Sequence, residues 1–305
     1  MESVKKENIK LYDLINVDKP KEVHNEIKYI ISLMTDDFEY DYLFADTVRL
    51  FNGEYPGYQA SKTKYHDLEH THSVVLATAR LMHGCCIDGQ VLTPRDIFLG
   101  IAAALFHDTG LIQTEVDTVG TGAKYTVGHE ERSIKFMSEY LSSKSFSSKA
   151  IQDCSQLIRS TILSLPTKEI HFSSKEIEAL GKIVGSADLI AQIADRNYLE
   201  KLLMLFKEFE EANIPGISSE LELLQKTGDF YTFVAKKRLL EEFGGISASM
   251  ISHFKHRLNI NRDLYEEAAL KNIEYLKSLV DECKDKFECY LDNLRRLNLS
   301  KKISL

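Results

Sequence analysis

Asp96-Ile97-Phe98-Leu99-Gly100-Ile101-Ala102-Ala103-Ala104-Leu105-Phe106-His107-Asp108-Thr109-Gly110 is the stretch that decides the fold class. From Asp96 to Phe106 the apolar residues leave no polar face, which marks a helix buried all round rather than a surface helix. The helix then runs into His107-Asp108, with Gly110 as the C′ residue expected to stop it. A carboxylate at the edge of a core is costly unless it is paired or coordinates a metal. His107 and Asp108 are therefore read as candidate ligands, in preference to a turn in which Asp108 only bonds local backbone donors.

Helical periods extend outward from this segment in both directions. Val23, Ile27, Ile30, Ile31 and Met34 form an amphipathic stripe, and Val74, Val75, Ala77, Leu81 and Met82 form another. From Tyr265 to Leu297 apolar residues recur every three or four positions, which predicts one long helix of roughly 50 Å at 1.5 Å per residue. That stripe suits either the chain's own core or a second subunit, so a homodimer is a possible partner. Alternating strand patterns are scarce, and there are only five prolines and no linker-like segment. The expectation is a single all-α domain over 1–305, with a working core at about 60–200 and helical extensions at 1–59 and 201–305.

The composition narrows the function. Of the 305 residues, 44% are hydrophobic and 28% charged, as in a globular protein with a sizeable core. Lys and Arg number 38 against 46 Asp and Glu, a net charge of −8. That balance lacks the basic footprint of a general nucleic-acid binder, yet leaves room for a small phosphorylated substrate held by a metal or a local cationic group. The opening Met1-Glu2-Ser3-Val4-Lys5-Lys6-Glu7 has no apolar segment, and no apolar run reaches the ~20 residues of a spanning helix. Five cysteines form no C-x-x-C pair and are expected to be reduced, mostly buried thiols. A cytoplasmic protein without a membrane role is expected.

Two further polar clusters interrupt the helical pattern. Tyr65-His66-Asp67-Leu68-Glu69-His70 places two histidines four apart, on one face if the segment is helical. One of them can hold a metal while the other moves protons near neutral pH. Val184-Gly185-Ser186-Ala187-Asp188-Leu189-Ile190 sets Asp188 in an apolar helical stretch, with Asp195 seven residues on and on nearly the same face. Spacing alone does not choose between them.

Together these clusters resemble the HD superfamily of metal-dependent phosphohydrolases, whose pattern H…HD…D is matched by His70, His107-Asp108 and Asp188 over roughly residues 60–200. The resemblance implies an HD-domain helical bundle and favours Asp188 over Asp195 as the last ligand. Tyr65-His66-Asp67-x-x-His70 is similar to the signature of class I cyclic-nucleotide phosphodiesterases, which implies His66 as general acid and His70 as ligand. The sequence departs from those enzymes at Leu111, where they carry a further His. His129, about twenty residues after the His-Asp pair, resembles the second-metal ligand of some two-metal HD proteins; the GYP motif of one such group is absent. The resemblance implies one or two divalent ions (Mn, Fe, Mg, Zn or Ni), with Asp108 bridging them and serving the catalytic step. It implies hydrolysis of a phosphodiester or phosphomonoester, with a nucleotide as the expected substrate. In the glycine-containing loop before His129, Lys124 is expected to neutralise a phosphate and Tyr125 to stack on a base, with Arg132 holding a phosphate oxygen. The competing expectations are a degenerate HD site that binds nucleotides in signalling, and a di-iron oxygenase of the same fold.

Overall fold

The computed structural model describes residues 8–36 and 39–297; the N-terminal residues 1–7, from which the absence of a leader was read, lie outside this range. Among the described residues there are twelve α-helices and no strand, only two isolated bridges, so the fold is all-α. Helix α1 spans Pro20–Ser32, α2 Asp41–Phe51, α3 Leu68–Ile87 and α4 Pro94–Phe106. They are followed by α5 (His129–Ser143), α6 (Ser148–Arg159), α7 (Lys175–Ile193) and α8 (Tyr198–Glu211). The last four are α9 (Glu220–Asp229), α10 (Met250–Leu258), α11 (Leu264–Cys283) and α12 (Phe287–Asn293).

The segment that decides the fold class forms α4. Pro94 opens it, where a missing N–H costs nothing. Thr93 and Asp96 make a reciprocal capping box, and every residue from Ile97 to Phe106 is buried. It packs against α3 and α7, which also pack against each other, so three helices share one interior. Each delivers a polar group to the same place: His70 from the first turn of α3, His107 from the end of α4, and Asp188 from α7.

Several expectations are corrected. Gly110 is not a left-handed C′ residue; it lies in a 3-10 turn, Thr109–Leu111. Its lack of a side chain serves close approach instead: a Cβ there would come within 1.9 Å of the His129 carbonyl oxygen. His66 does not share a helical face with His70, because α3 begins at Leu68 after its N-cap Asp67. The C-terminal stripe is broken. Helix α11 stops at Cys283, Lys284 adopts φ 48°, and α12 starts at Phe287. The continuous ~50 Å rod is thus two shorter helices, and the fold-back brings Cys289 to Cys283, with Cα atoms 5.5 Å apart, as a disulfide. The expectation of five free thiols therefore holds only for Cys85, Cys86 and Cys154. The stripe itself is buried on the chain's own α7, α9 and α10, which removes that argument for a second subunit. No helix among the described residues is long and apolar enough to cross a membrane.

After α9 the helical path loosens into π-helical turns at Phe230–Ala235 and Arg238–Glu242, a geometry often found at functional sites. Buried Arg238 anchors this region by donating to the carbonyls of Ser160, Ile162, Leu163 and Leu165.

Candidate metal centre

Four ligand atoms converge where α3, α4 and α7 meet. His70 Nε2 lies 3.3 Å from His107 Nε2, 3.4 Å from Asp108 Oδ2 and 3.3 Å from Asp188 Oδ1. His107 Nε2 lies 3.1 Å from Asp108 Oδ2 and 3.7 Å from Asp188 Oδ1. Bonds of about 2.0–2.1 Å from one ion to tetrahedral ligands set those ligands about 3.4 Å apart, so the spacing of His70, His107 and Asp108 fits a single ion, with Asp188 approaching from the side of the two histidines. His70, His107 and Asp108 are buried, and Asp108 Oδ2 has no hydrogen-bond partner although it is shielded from solvent. A buried carboxylate oxygen is offset by positive charge, which here a protonated histidine or a metal ion can supply. Spacing left Asp188 and Asp195 open; Asp188 points into the cluster, whereas Asp195 is held outside it by Lys201 at 2.7 Å.

The ligands are held from behind. His107 Nδ1 donates to the Ala104 carbonyl at 2.9 Å, which turns Nε2 toward the cluster. Asp67 caps α3 by accepting from the His70 backbone N–H, fixing that turn. Burial opposes the protonation of His107, but Asp108 and Asp188 outweigh it and raise its pKa to about 9. Burial also opposes ionisation of Asp108, yet His107 and His66 hold it well below the usual carboxylate range. The cluster is therefore anionic at its centre and collects positive charge, whether from protons or from a metal ion.

The second oxygen of Asp108 faces the other way. His129 Nε2 is 3.1 Å from Asp108 Oδ1, and its Nδ1 donates to the Thr126 carbonyl at 2.8 Å. Asp108 thus stands between His70 and His107 on one side and His129 on the other. The absence of a Cβ on Gly110 makes this possible, since the His-Asp turn packs directly on the first turn of α5 and Gly110 N–H donates to Ser133 Oγ.

His66 stands beside the centre, its ring 5.9 Å from both the His70 and His129 rings. Its Nδ1 is 2.6 Å from Glu208 Oε2. Burial works against a charged His66, but the Glu208 and Asp108 carboxylates raise its pKa to about 9. Glu208, on α8 and only 4% exposed, also accepts from the backbone N–H groups of Lys64 and Tyr65. Sequence reasoning missed this residue. Its neighbours Lys207, Glu210 and Glu211 give it the look of a solvated face, and only its place between Phe206 and Phe209 hints at burial.

The centre opens into a cavity of about 440 Å³. Its far wall is apolar: Leu202, Leu205 and Phe209 from α8, then Ile217, Leu223 and Phe230. Lys124, Tyr125 and Arg132, expected to bind substrate, do not line it. They fold on one another instead. Lys124 Nζ and Tyr125 Oη both bond Asp117, and Arg132 stacks 3.5 Å from the Tyr125 ring centre while donating to the Gly110 carbonyl. The lysine on the cavity wall is Lys226, which the sequence did not single out.

The family described as Npun_R2479-like, of unknown function, matches residues 113–240. That stretch includes His129, Asp188, Glu208 and Lys226 but begins after His107-Asp108. No curated protein matches the chain.

Proposed function

We propose that the protein is a metal-dependent phosphohydrolase. The observation that carries this reading is Asp108: one oxygen is buried without a hydrogen-bond partner among His70 and His107, and the other meets His129. His70, His107, Asp108 and Asp188 would hold a divalent ion, with His129 and Asp108 Oδ1 available to a second. The resemblance of His70, His107-Asp108 and Asp188 to the HD pattern supports the same reading. When bound, a divalent ion supplies a Lewis acid for a phosphoryl oxygen and an acidified water as nucleophile.

The chain's own residues account for the rest. Glu208 fixes the His66 ring through Nδ1, which leaves Nε2 as the proton-bearing atom toward the cavity. Attack of water on phosphorus forms one P–O bond as the ester P–O bond breaks; the proton of His66 Nε2 passes to the leaving alkoxide, and the proton shed by the water restores the His66 acid. General-acid help of this kind contributes about 10²–10⁴-fold. The apolar wall limits water around the reacting group and so strengthens these electrostatic contacts.

The test is metal analysis of wild type and Asp108→Ala, followed by release of nitrophenol from bis-p-nitrophenyl phosphate. Wild type is expected to carry one or two equivalents of divalent metal and to turn over the diester, and Asp108→Ala to lose both. His66→Ala is expected to keep metal and lose turnover; equal loss of metal would refute the division of roles. Iron with oxygen uptake and no phosphate chemistry would favour the di-iron oxygenase. Tight nucleotide binding without turnover under any metal would favour a degenerate binding protein.

A further inference from the structure

We infer that the ligand of this cavity is an amphiphile, a phosphate ester of a long-chain or otherwise apolar alcohol, rather than a nucleotide. The inference rests on the phosphohydrolase reading for the position of the head group, and on the cavity wall for the class of the tail. The volume of about 440 Å³ falls in the range of small-molecule sites. Beyond the His/Asp cluster one long stretch of its wall is apolar: Leu163, Leu202, Leu205, Phe209, Ile217 and Phe230 all face it. Leu205, Phe209, Ile217 and Phe230 remain partly exposed although the apolar core lies beside them. The cavity is where that exposure goes, and a hydrocarbon filling it would remove it from water.

Most polar groups on the same walls are already engaged, and of the others Glu130 is itself an anion that would repel a phosphate chain. Thr126, Thr161 and Thr227 donate their hydroxyls to the carbonyls of Ala123, Ile158 and Leu223. Gln192 Oε1 accepts from Tyr65 Oη at 2.7 Å. Lys226 Nζ is tied to Glu222 at 2.6 Å and to the Gly216 carbonyl at 3.0 Å. A polyphosphate is held by several free cations, and this wall offers none, since its one lysine is tied to Glu222. Lys124 and Arg132, which could have served a phosphate chain, are held outside the cavity. Along the π-helical segment after Phe230, the side chains of Phe233 and Val234 are 69% and 40% exposed. Val234 is four residues beyond Phe230, so it lies near the same side and carries the apolar surface outward.

The test is calorimetric binding of butyl-, octyl- and dodecylphosphonate to the metal-loaded full-length protein, each below its micelle concentration, with AMP for comparison. A phosphonate has no ester bond to cleave, so turnover does not enter the result. Each methylene buried adds about fourfold in affinity. Octylphosphonate is therefore expected to bind at least tenfold more tightly than butylphosphonate and more tightly than AMP. Leu205→Asn and Phe230→Ser, which alter only the wall, are expected to flatten this dependence while keeping metal content. An affinity independent of chain length, or AMP binding more tightly than octylphosphonate, would overturn the inference even if the diester is hydrolysed. Chain-length dependence without any diester turnover would instead leave an amphiphile-binding site and refute the hydrolase.

Discussion

If His70, His107, Asp108 and Asp188 hold one ion, that ion must stabilise the folded chain, because only folding brings residues from α3, α4 and α7 together. The gain for a ligand at one hundred times its dissociation constant is about 2.7 kcal/mol. For 305 residues the unfolding entropy is about 0.64 kcal/mol per degree at roughly 2.1 cal/mol/K per residue. The melting temperature should then rise by ~4 °C at that excess and fall back when a chelator is added. Asp108→Asn preserves the shape of the side chain but removes the charge shared between the histidines, and replaces an acceptor with an amide. Its melting temperature should move by less than ~1 °C under the same titration. Thermal unfolding of both proteins against Mn, Fe, Zn, Mg and Ni measures this directly. An equal rise in wild type and Asp108→Asn would place the ion elsewhere. No rise in wild type with any of the five ions would refute a metal at these residues.

Four other outcomes are expected. Against burial, Glu208 and Asp108 raise the His66 pKa, to about 9 with no metal bound, so its acid form is lost as pH rises; with a metal offsetting Asp108, turnover should fall on the alkaline side at or below that pH. Glu208→Gln should move that limb to lower pH and lower kcat by roughly 10–100-fold, whereas a purely structural role for Glu208 would leave the pH profile in place. Gly110→Ala puts a Cβ 1.9 Å from the His129 carbonyl oxygen; the strain should cost about 2–3 kcal/mol, read by denaturant unfolding, and should weaken metal binding through the displaced His129. Buried His83 and His253 face each other through Nδ1 atoms 3.1 Å apart, and burial, with Arg257 nearby and Arg80 beside His253, lowers them to about 4 and about 2. Both stay neutral in the folded chain, so the metal-free protein should lose stability as pH falls below ~6.5, by up to about 1.4 kcal/mol per pH unit for each histidine. His253→Gln should reduce that slope, and an unchanged slope would assign the acid limb to other groups.

The fold class and most of the centre were legible because they depend on local pattern. Ile97–Phe106 has no polar face, and such a helix must be buried whatever surrounds it. The His-Asp pair ending it and Asp188 inside another apolar helix are polar groups with no local reason to be there. What was not legible depends on distant pairings. Glu208 meets His66 across 142 residues, and nothing near either residue announces the other. The break at Lys284 is hidden because Cys283, Phe287 and Tyr290 keep steps of three and four across a turn that is not helical. Loop residues misled for a related reason. Lys124 and Tyr125 carry the chemistry of a nucleotide site, but Asp117, seven and eight residues before them, satisfies both.

Arg132 shows how that loop contributes to the site without touching a ligand. Its Nε donates to the Gly110 carbonyl and its guanidinium lies on the Tyr125 ring, whose hydroxyl bonds Asp117. The His-Asp turn is therefore clamped against α5 from the outside, while His129 meets Asp108 from the inside. A buried carboxylate is tolerated where it is paired or coordinates a metal, and this clamp holds Asp108 where the histidines can pair with it. The cavity wall is built from other parts of the chain, chiefly α8, α9 and the π-helical turns. Helix α8 joins the two, since Glu208 orients His66 while Leu205 and Phe209, on the same helix, face the cavity. Substitutions at Leu205 or Phe230 can therefore reshape what the cavity accepts and leave the His/Asp cluster as it is. A change at Glu208 acts on the His66 ring, and a change at Arg132 acts on the turn that carries Asp108.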